Sequence, residues 1–212
     1  IQLVFPLTKE QVSRFNGGGC NWGVLRGADI NQIKTISQAE FTALLEKEAS
    51  SEARVQAASQ KIKVTGTVNV PEDCGLSEAV RAASFRGGLY DRVPTIVVGK
   101  GEHQIDAEYL NIFSATNIVG DPGVARKDIV IMGGIGIKKG IQGNCHLQHL
   151  TLRQAEWHGV WGCSSFTMED VVVKQCNGDG VYASGTGVVG RCTNIEVRQC
   201  RGNGVFAADG AS

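Results

Sequence analysis

The sequence predicts an all-β fold: a right-handed, single-stranded parallel β-helix with about 21–24 residues per coil, an N-terminal capping helix and one additional N-terminal helix. Three observations predict it. A twelve-residue pattern occurs three times, apolar residues alternate within each copy, and glycine and asparagine interrupt the copies at fixed places. Because a coil of this size cannot bury its inner face alone, it must stack on its neighbours to form a core.

The three copies align without gaps. They are LTLRQAEWHGVW, VVVKQCNGDGVY and IEVRQCRGNGVF, and they begin at residues 150, 171 and 195, which are 21 and 24 residues apart. Alternation that lasts three to five residues is typical of short strands and not of helices. Equivalent residues of successive coils should then lie about 4.8 Å apart, the strand spacing of a sheet, and form columns along the solenoid.

The segment before the repeats contains the elements of an N-terminal cap. PEDCGLSEAVRAASFRGG predicts a short amphipathic helix over about 76–86, with Ser77 as its N-cap. Strands are predicted in PTIVVGKGEHQI and at 117–120. Such a helix would cover the edge that the first coil exposes.

Three segments follow from these patterns. Residues 1–36 predict a strand and a Gly-rich loop, residues 37–62 a helix or linker that begins with a capping box, and residues 63–212 the β-helix. The last coil stops partway at Ser212. We therefore expect the solenoid to be truncated there, and a neighbouring module or a protein partner to cover its end.

Composition argues against several classes of function. Lys plus Arg and Asp plus Glu are both 21, so the net charge of zero gives no reason to expect nucleic acid. No apolar run approaches the roughly 20 residues of a membrane span. The seven cysteines include no CxxC pair, so we expect no metal site and no cofactor. Free cysteines in strand-like runs, and the lack of an Asn-x-Ser/Thr sequon, weakly favour an intracellular location.

Several motifs resemble a known family. The start EAVRAA…TIVVGKGEHQI, the turn NIVGDPG and the later coils with Gly-Val-aromatic resemble the right-handed parallel β-helix proteins of the pectin-lyase-like superfamily. The resemblance is closest to the β-helix repeats of some F-box and SHC-binding spindle proteins and of many protist proteins. It covers residues 63–212, roughly 70% of the chain, and implies the fold far more than a function.

Aromatic residues form the first candidate site. If the valine before each ring points into the solenoid, the ring points outward. The column consists of Trp161, Tyr182 and Phe206. Such rings would hold a sugar chain or a protein partner, or else pack under a loop or against the N-terminal helix.

A basic column and a polar column are the other candidates. The basic column consists of Arg153, Lys174 and Arg198. Its cations would hold an anion such as a uronate or a phosphate, or would form a solvated face with acid partners such as Glu196.

The polar column consists of His158, Asp179 and Asn203, and a similar one of His149, Asp170 and Asn194. A His–Asp pair is suited to general acid–base catalysis. The alternative is a turn ladder, because Asp and Asn tolerate a left-handed backbone.

These columns leave three functions open. A non-catalytic scaffold or binding module would present its stacked columns to a protein or glycan partner. A polysaccharide lyase or glycoside hydrolase would need clustered carboxylates, whereas each outward column of the repeats contains at most one, and we assign no catalytic residue. A structural subunit of a larger assembly would use the open end.

Overall fold

The structure, a computed structural model, describes residues 38–84 and 92–212. The chain divides into two compact units, Ile1–Glu52 and Ala53–Ser212. The described part of the first unit, residues 38–52, belongs to helix α1. The predicted N-terminal strand, Gly-rich loop and capping-box serine lie outside the described residues.

The described residues contain two α-helices, one 3₁₀ turn and a parallel sheet of 12 strands. The helices are α1 (Gln38–Thr65) and α2 (Leu76–Ser84), and the 3₁₀ turn is Arg126–Asp128. The strands are β1 (Thr67–Val70), β2 (Thr95–Val98), β3 (Gly101–Ile112), β4 (Asn117–Gly120), β5 (Ile129–Ile137), β6 (Cys145–Arg153), β7 (Val160–Gly162), β8 (Phe166–Lys174), β9 (Val181–Ser184), β10 (Gly190–Thr193), β11 (Glu196–Arg198) and β12 (Val205–Ala208).

The strands stack as a β-solenoid with three faces and about six turns, which confirms the predicted fold class. The first face consists of β1, β2, β4, the first half of β6, the first half of β8, and β10. The second face combines the first halves of β3 and β5, the second halves of β6 and β8, and β11. The third face combines the second halves of β3 and β5 with β7, β9 and β12.

Because side chains alternate along each strand, every second residue points into the solenoid, and these inward residues are apolar. Inward columns of Ile, Leu and Val are almost fully buried on all three faces, including Ile96, Ile118, Leu147, Ile131, Leu152, Val173, Ile135, Val160 and Val181. Each inward residue lies beside its equivalent in the next coil. The core is therefore continuous along the axis, as the repeat predicts.

Helix α2 caps the first turn, as predicted. It begins at Leu76, so Ser77 lies inside the helix and the prediction of Ser77 as N-cap is wrong. Instead, the carboxylate of Glu78 accepts a hydrogen bond from the backbone N–H of Gly75, at 2.9 Å. Apolar residues of α2 are buried, as are Val55, Ala58 and Ile62 in the later part of α1.

Single residues with a left-handed backbone turn the chain between faces. His149, Asp170 and Asn194 have φ of 54°, 53° and 51° at the corner between the first and second faces. Gln154, Gln175 and Gln199, with φ of 59°, 60° and 56°, begin the next corner. The left-handed polar column is therefore the one that contains His149, and not the one that contains His158.

Glycine recurs at the end of the second corner because the coils approach closely there. A β-carbon on Gly159 would overlap the side chain of Val173 and lie 2.7 Å from the carbonyl oxygen of Gly180. A β-carbon on Gly180 would meet Val197 and the next coil in the same way. The repeated glycine is thus required by stacking.

The last coil is the least buried. Strands β10, β11 and β12 each pair on one side, with β8 or β9, within the described residues. Val205 is 58% exposed, whereas its equivalent Val181 is 1% exposed. The inward column therefore continues to a sheet edge that no described residue covers.

Candidate functional site

The aromatic column lies on the outer surface of the third face, as predicted. Trp161 and Tyr182 are half-buried and follow the fully buried Val160 and Val181. Phe206, in the last coil, is 42% exposed. Its role in binding stays a prediction.

Rings of three successive coils stack on one another. The ring centroids of His158 and Tyr182 are 4.7 Å apart with an interplanar angle of 16°, and those of Tyr182 and Phe206 are 5.7 Å apart with an angle of 26°. Both faces of the Tyr182 ring are thus covered by neighbouring rings. A sugar that stacks on a ring needs a free face, so the Tyr182 ring offers none.

Trp161 has a different environment. Its ring centroid lies 5.7 Å from that of Tyr109, at an interplanar angle of 55°, and 5.4 Å from Nζ of Lys138. The lysine ammonium over the indole is a cation–π contact. Trp161 therefore has an aromatic and a cationic neighbour, whereas the ring that stacks on Tyr182 from the preceding coil is that of His158.

Tyr109 is a member of this surface that sequence reasoning missed. Its ring lies over two outward glycines, since a β-carbon on Gly134 or Gly136 would lie 2.8 or 3.3 Å from Tyr109 atoms. The phenol oxygen accepts the backbone N–H of His158 at 3.0 Å, and burial raises the pKa of Tyr109. The signal in the sequence is MGGIG, in which glycine occupies two positions where the alternation would place an outward side chain.

Two exposed aromatic residues border the same face. Phe113 follows β3 and is 63% exposed, and Trp157, at the corner before β7, is 57% exposed. We define the aromatic face as the outward rings of the third face together with these two residues: Phe113, Trp157, Trp161, Tyr182 and Phe206. Large exposed apolar side chains at both ends of one face are typical of protein-binding sites.

The polar column connects three coils. The backbone N–H of Asp179 donates to Nδ1 of His158 at 3.1 Å, and Oδ1 of Asp179 accepts the backbone and side-chain N–H groups of Asn203 at 2.6 and 3.0 Å. Nδ1 uses its lone pair to accept this hydrogen bond. Oδ2 of Asp179 also lies 3.3 Å from Nδ1.

An ionic cluster lies at the corner between the first and second faces. Oδ2 of Asp170 lies 2.6 Å from Nδ1 of His149, while Oδ1 contacts Nη1 of Arg126 at 2.5 Å and accepts from the amide of Asn194 at 2.9 Å. Nη2 of Arg126 also lies 3.8 Å from Glu196. Arg126 thus brings together two carboxylates of different columns, which the repeat alone did not predict.

The geometry of this cluster favours a protonated His149. Its Nε2 lies 2.8 Å from the carbonyl oxygen of Val124, so both ring nitrogens face acceptors. The hydrogen bond to Val124, followed by the one to Asp170, raises the pKa of His149. A doubly protonated ring satisfies both acceptors at once.

Arg126 belongs to a segment, residues 121–128, that crosses the second face; we name it the strap. Its 3₁₀ turn packs against β5, β6 and β8. The hydroxyl of Thr151 donates to the carbonyl oxygen of Arg126 at 2.9 Å. The outward residues Val130, Thr151 and Val172 are therefore buried, although alternation directs them away from the core.

The basic column lies beside the strap and is largely neutralised. Arg153 forms an ion pair with Glu102 at 2.6 Å, and Arg198 with Glu196 at 3.2 Å. Lys174, between them, is half-buried. The acid partner Glu196 is the one that the sequence suggested, and anion binding by the column stays a prediction.

Within the described ranges, no group of three or more His, Cys, Asp or Glu side chains could hold a metal ion. Neither helix of these ranges combines the length and apolar character that crossing a membrane requires.

No protein-family model, curated protein or solved structure matches this chain. The evidence for the parallel β-solenoid is therefore the strand pairing alone. Kinship with the pectin-lyase-like superfamily is a proposal.

Proposed function

We propose that this chain is a non-catalytic β-solenoid module that binds a protein partner through its aromatic face. The observation that carries the proposal is the exposure of Phe113 and Trp157 at the two ends of the face that carries the half-buried Trp161. Aromatic anchors of this kind dominate the energetics of protein interfaces. The proposal includes descent from the pectin-lyase-like β-helix proteins, with the faces of the solenoid used for binding.

The ionic groups support a structural role for the outer polar residues. Nδ1 of His158 is occupied by the Asp179 amide, and both nitrogens of His149 are occupied by Asp170 and Val124. A general base needs a free lone pair that faces a substrate. These side chains use theirs to join coils to one another.

The aromatic geometry favours a protein over a glycan. Tyr182 has both ring faces covered, and Trp161 has a lysine ammonium over its ring. A protein interface uses ring edges and ring faces equally, whereas a sugar platform needs open faces. Glycan binding is therefore an outcome of the test and not the proposal.

The proposal is tested by cross-linking the full chain in an extract of its own source cells and mapping the contacts. We expect contacts along the third face that are lost in Phe113→Ser and in Trp157→Ser. Val64→Ser is the control, because Val64 is 83% exposed in the last turn of α1, outside the strands of the third face. Contacts that all three variants retain would contradict the proposal.

A second measurement uses a panel of neutral and acidic polysaccharides. Tryptophan fluorescence should not respond to them, and no new reducing ends or unsaturated products should form. A response that Trp157→Ala abolishes would make the surface a sugar site. Cleavage would restore the lyase or hydrolase alternative and direct attention to Asp170 and Glu196.

A second candidate function rests on the open edge. Strands β10–β12 leave one side unpaired within the described residues, and Val205 and Phe206 are exposed there. We propose that a neighbouring module or a partner subunit covers this edge. Light scattering of the purified chain tests the subunit form: an assembly that Val205→Asp dissociates supports it, and a monomer at all concentrations contradicts it.

A further inference from the structure

Two cysteines occupy equivalent positions in the last two coils. Cys176 and Cys200 each follow the left-handed glutamine of their coil, and the strand pairs on both sides of them, Lys174 with Arg198 and Val181 with Val205, share one register. The backbone N–H of Arg201 donates to the carbonyl oxygen of Cys176 at 3.0 Å. The two residues are therefore direct neighbours along the axis.

Their side chains lie side by side. Burial, and then the neighbouring Cys200, raise the pKa of the Cys176 thiol. Each sulfur also approaches the carbonyl oxygen two residues earlier, at 3.8 Å for Cys176 and 3.6 Å for Cys200, so the side chains have the same orientation. Neighbouring strands are about 4.8 Å apart, which falls within the range of about 4.4–6.8 Å between the Cα atoms of a disulfide.

The other described cysteines lack such a partner. Cys145 pairs with Phe166 and Cys192 with Met168. Cys163 lies in the column of Lys138 and Ser184, and Cys74 precedes α2, outside the coils. Within the described residues, Cys176 and Cys200 are thus the one pair that the stacking of coils brings together.

We propose that Cys176 and Cys200 form a redox-modification site, at which a low-molecular-weight disulfide oxidises the two thiols to a disulfide that fastens the last coil to the preceding one.

The reaction proceeds by two thiol–disulfide exchanges. The thiolate of Cys200 attacks one sulfur of the oxidant, the oxidant's S–S bond breaks, and one small thiolate leaves. The thiolate of Cys176 then attacks the Cys200 sulfur and expels the second small thiolate. Each cysteine gives its proton to solvent, and two electrons pass to the oxidant, which ends as two thiols.

Burial sets the order of the two exchanges. Cys200 is half-buried in the exposed last coil, so the oxidant reaches it first. Cys176 is buried, and burial together with Cys200 raises the pKa of its thiol to about 12. The second exchange is therefore slow and accelerates as pH rises, because the thiolate is the attacking species.

The test exposes the full chain to oxidised glutathione and maps its disulfides by mass spectrometry. We expect one peptide pair that joins Cys176 to Cys200, the loss of two hydrogens, and reversal by dithiothreitol. The midpoint of thermal unfolding should rise by at least about 3 °C. Amide exchange in β11 and β12 should slow by about tenfold, because the last coil can no longer open separately.

Two serine variants distinguish this site from general oxidation. Cys200→Ser should lose both the linked peptide and the thermal shift. Cys163→Ser should retain both, and it is a matched control because Cys163 is also half-buried. Should Cys200→Ser fail to fold, the peptide map of the unaltered chain still decides the pairing.

Three results would overturn the proposal. They are a glutathione adduct on Cys200 that persists even when the pH is raised, a disulfide that joins either cysteine to another position, and a linked peptide without any change in the unfolding midpoint.

Discussion

At the scale of single residues, coil stacking decides which side chain each corner accepts. Gly159 and Gly180 face the next coil at distances that leave no room for a β-carbon, whereas a β-carbon on Gly204 would meet no atom within 4 Å. Space for a β-carbon is therefore absent at the first two glycines of this column and present at the last. Comparing these positions distinguishes a glycine required by close stacking from one required by its backbone conformation.

Gly159→Ala should lower the free energy of unfolding by about 1–3 kcal/mol, because the added methyl overlaps Val173 and the Gly180 carbonyl. Gly204→Ala, in the same column, should change it by less than about 0.5 kcal/mol. Urea unfolding followed by circular dichroism measures both. Equal losses for the two variants would show that backbone freedom, and not space, selects glycine here.

A residue-scale pH effect follows from His149. Its pKa is raised from 6.5, so the stability that it contributes is fully present below about pH 6.5 and is lost as pH rises through the raised pKa. The unfolding midpoint should therefore fall over this range. His149→Gln should remove this component of the pH dependence, and an NMR titration of the His149 ring should show a pKa above 6.5. A titration below that value would contradict the geometry.

At the scale of elements, the strap and the two helices cover surfaces that the solenoid would otherwise expose. The strap buries outward residues of the second face, and Arg126 joins it to Asp170 in a later coil. Helix α2 and the later part of α1 bury apolar residues in the core of the second unit. The strap and the two helices do not recur along the solenoid, so each of them covers a single exposed surface.

Arg126→Ala should loosen the strap while the coils stay folded. We expect faster amide exchange at 121–131, because the variant loses the contact with Asp170 and leaves that carboxylate to His149 and Asn194. Arg92→Ala is the control, since Arg92 is exposed and lies outside the strap. Exchange that is unchanged at 121–131 would mean that the hydrogen bonds of Thr151 and His149 hold the strap without the Arg126 side chain.

Helix α1 offers a matched pair of large apolar residues. Ile62 is fully buried, so Ile62→Ala should cost about 2–5 kcal/mol of unfolding free energy. Leu45 is 53% exposed, so Leu45→Ala should cost less than about 0.5 kcal/mol. Chemical denaturation measures both losses. A small loss for Ile62→Ala would show that α1 does not contribute to the core.

At the scale of the whole molecule, the repeat predicted the coils because alternation and spacing are local properties. It also predicted which side of β7 and β9 faces outward. It did not predict that Tyr109 covers Gly134 and Gly136, or that Arg126 reaches Asp170, since those contacts join residues that no period relates. Side chains that cross coils depend on rotamers and on non-repeating turns, which a sequence period does not specify.

Stability along the axis should be graded. Apart from the strap, each coil contacts only its neighbours, and β10–β12 pair with strands on one side within the described residues. Hydrogen exchange should therefore be fastest in β12, slower in β9 and slowest in β6. Uniform protection in all three strands would mean that the described coils open as one unit.

The turns from the third face to the first have another consequence. Unlike the one-residue corners at His149, Asp170 and Asn194, they differ in length from coil to coil, and they span 113–116, 138–144, 163–165 and 185–189. A residue added at the one-residue corner would invert the facing of the strand that follows, whereas a longer turn only bulges from the edge of the prism. Insertions in these turns would therefore lengthen the chain along one edge without adding a coil. That edge is the place at which evolution or protein engineering can insert a peptide with the least disturbance of the fold.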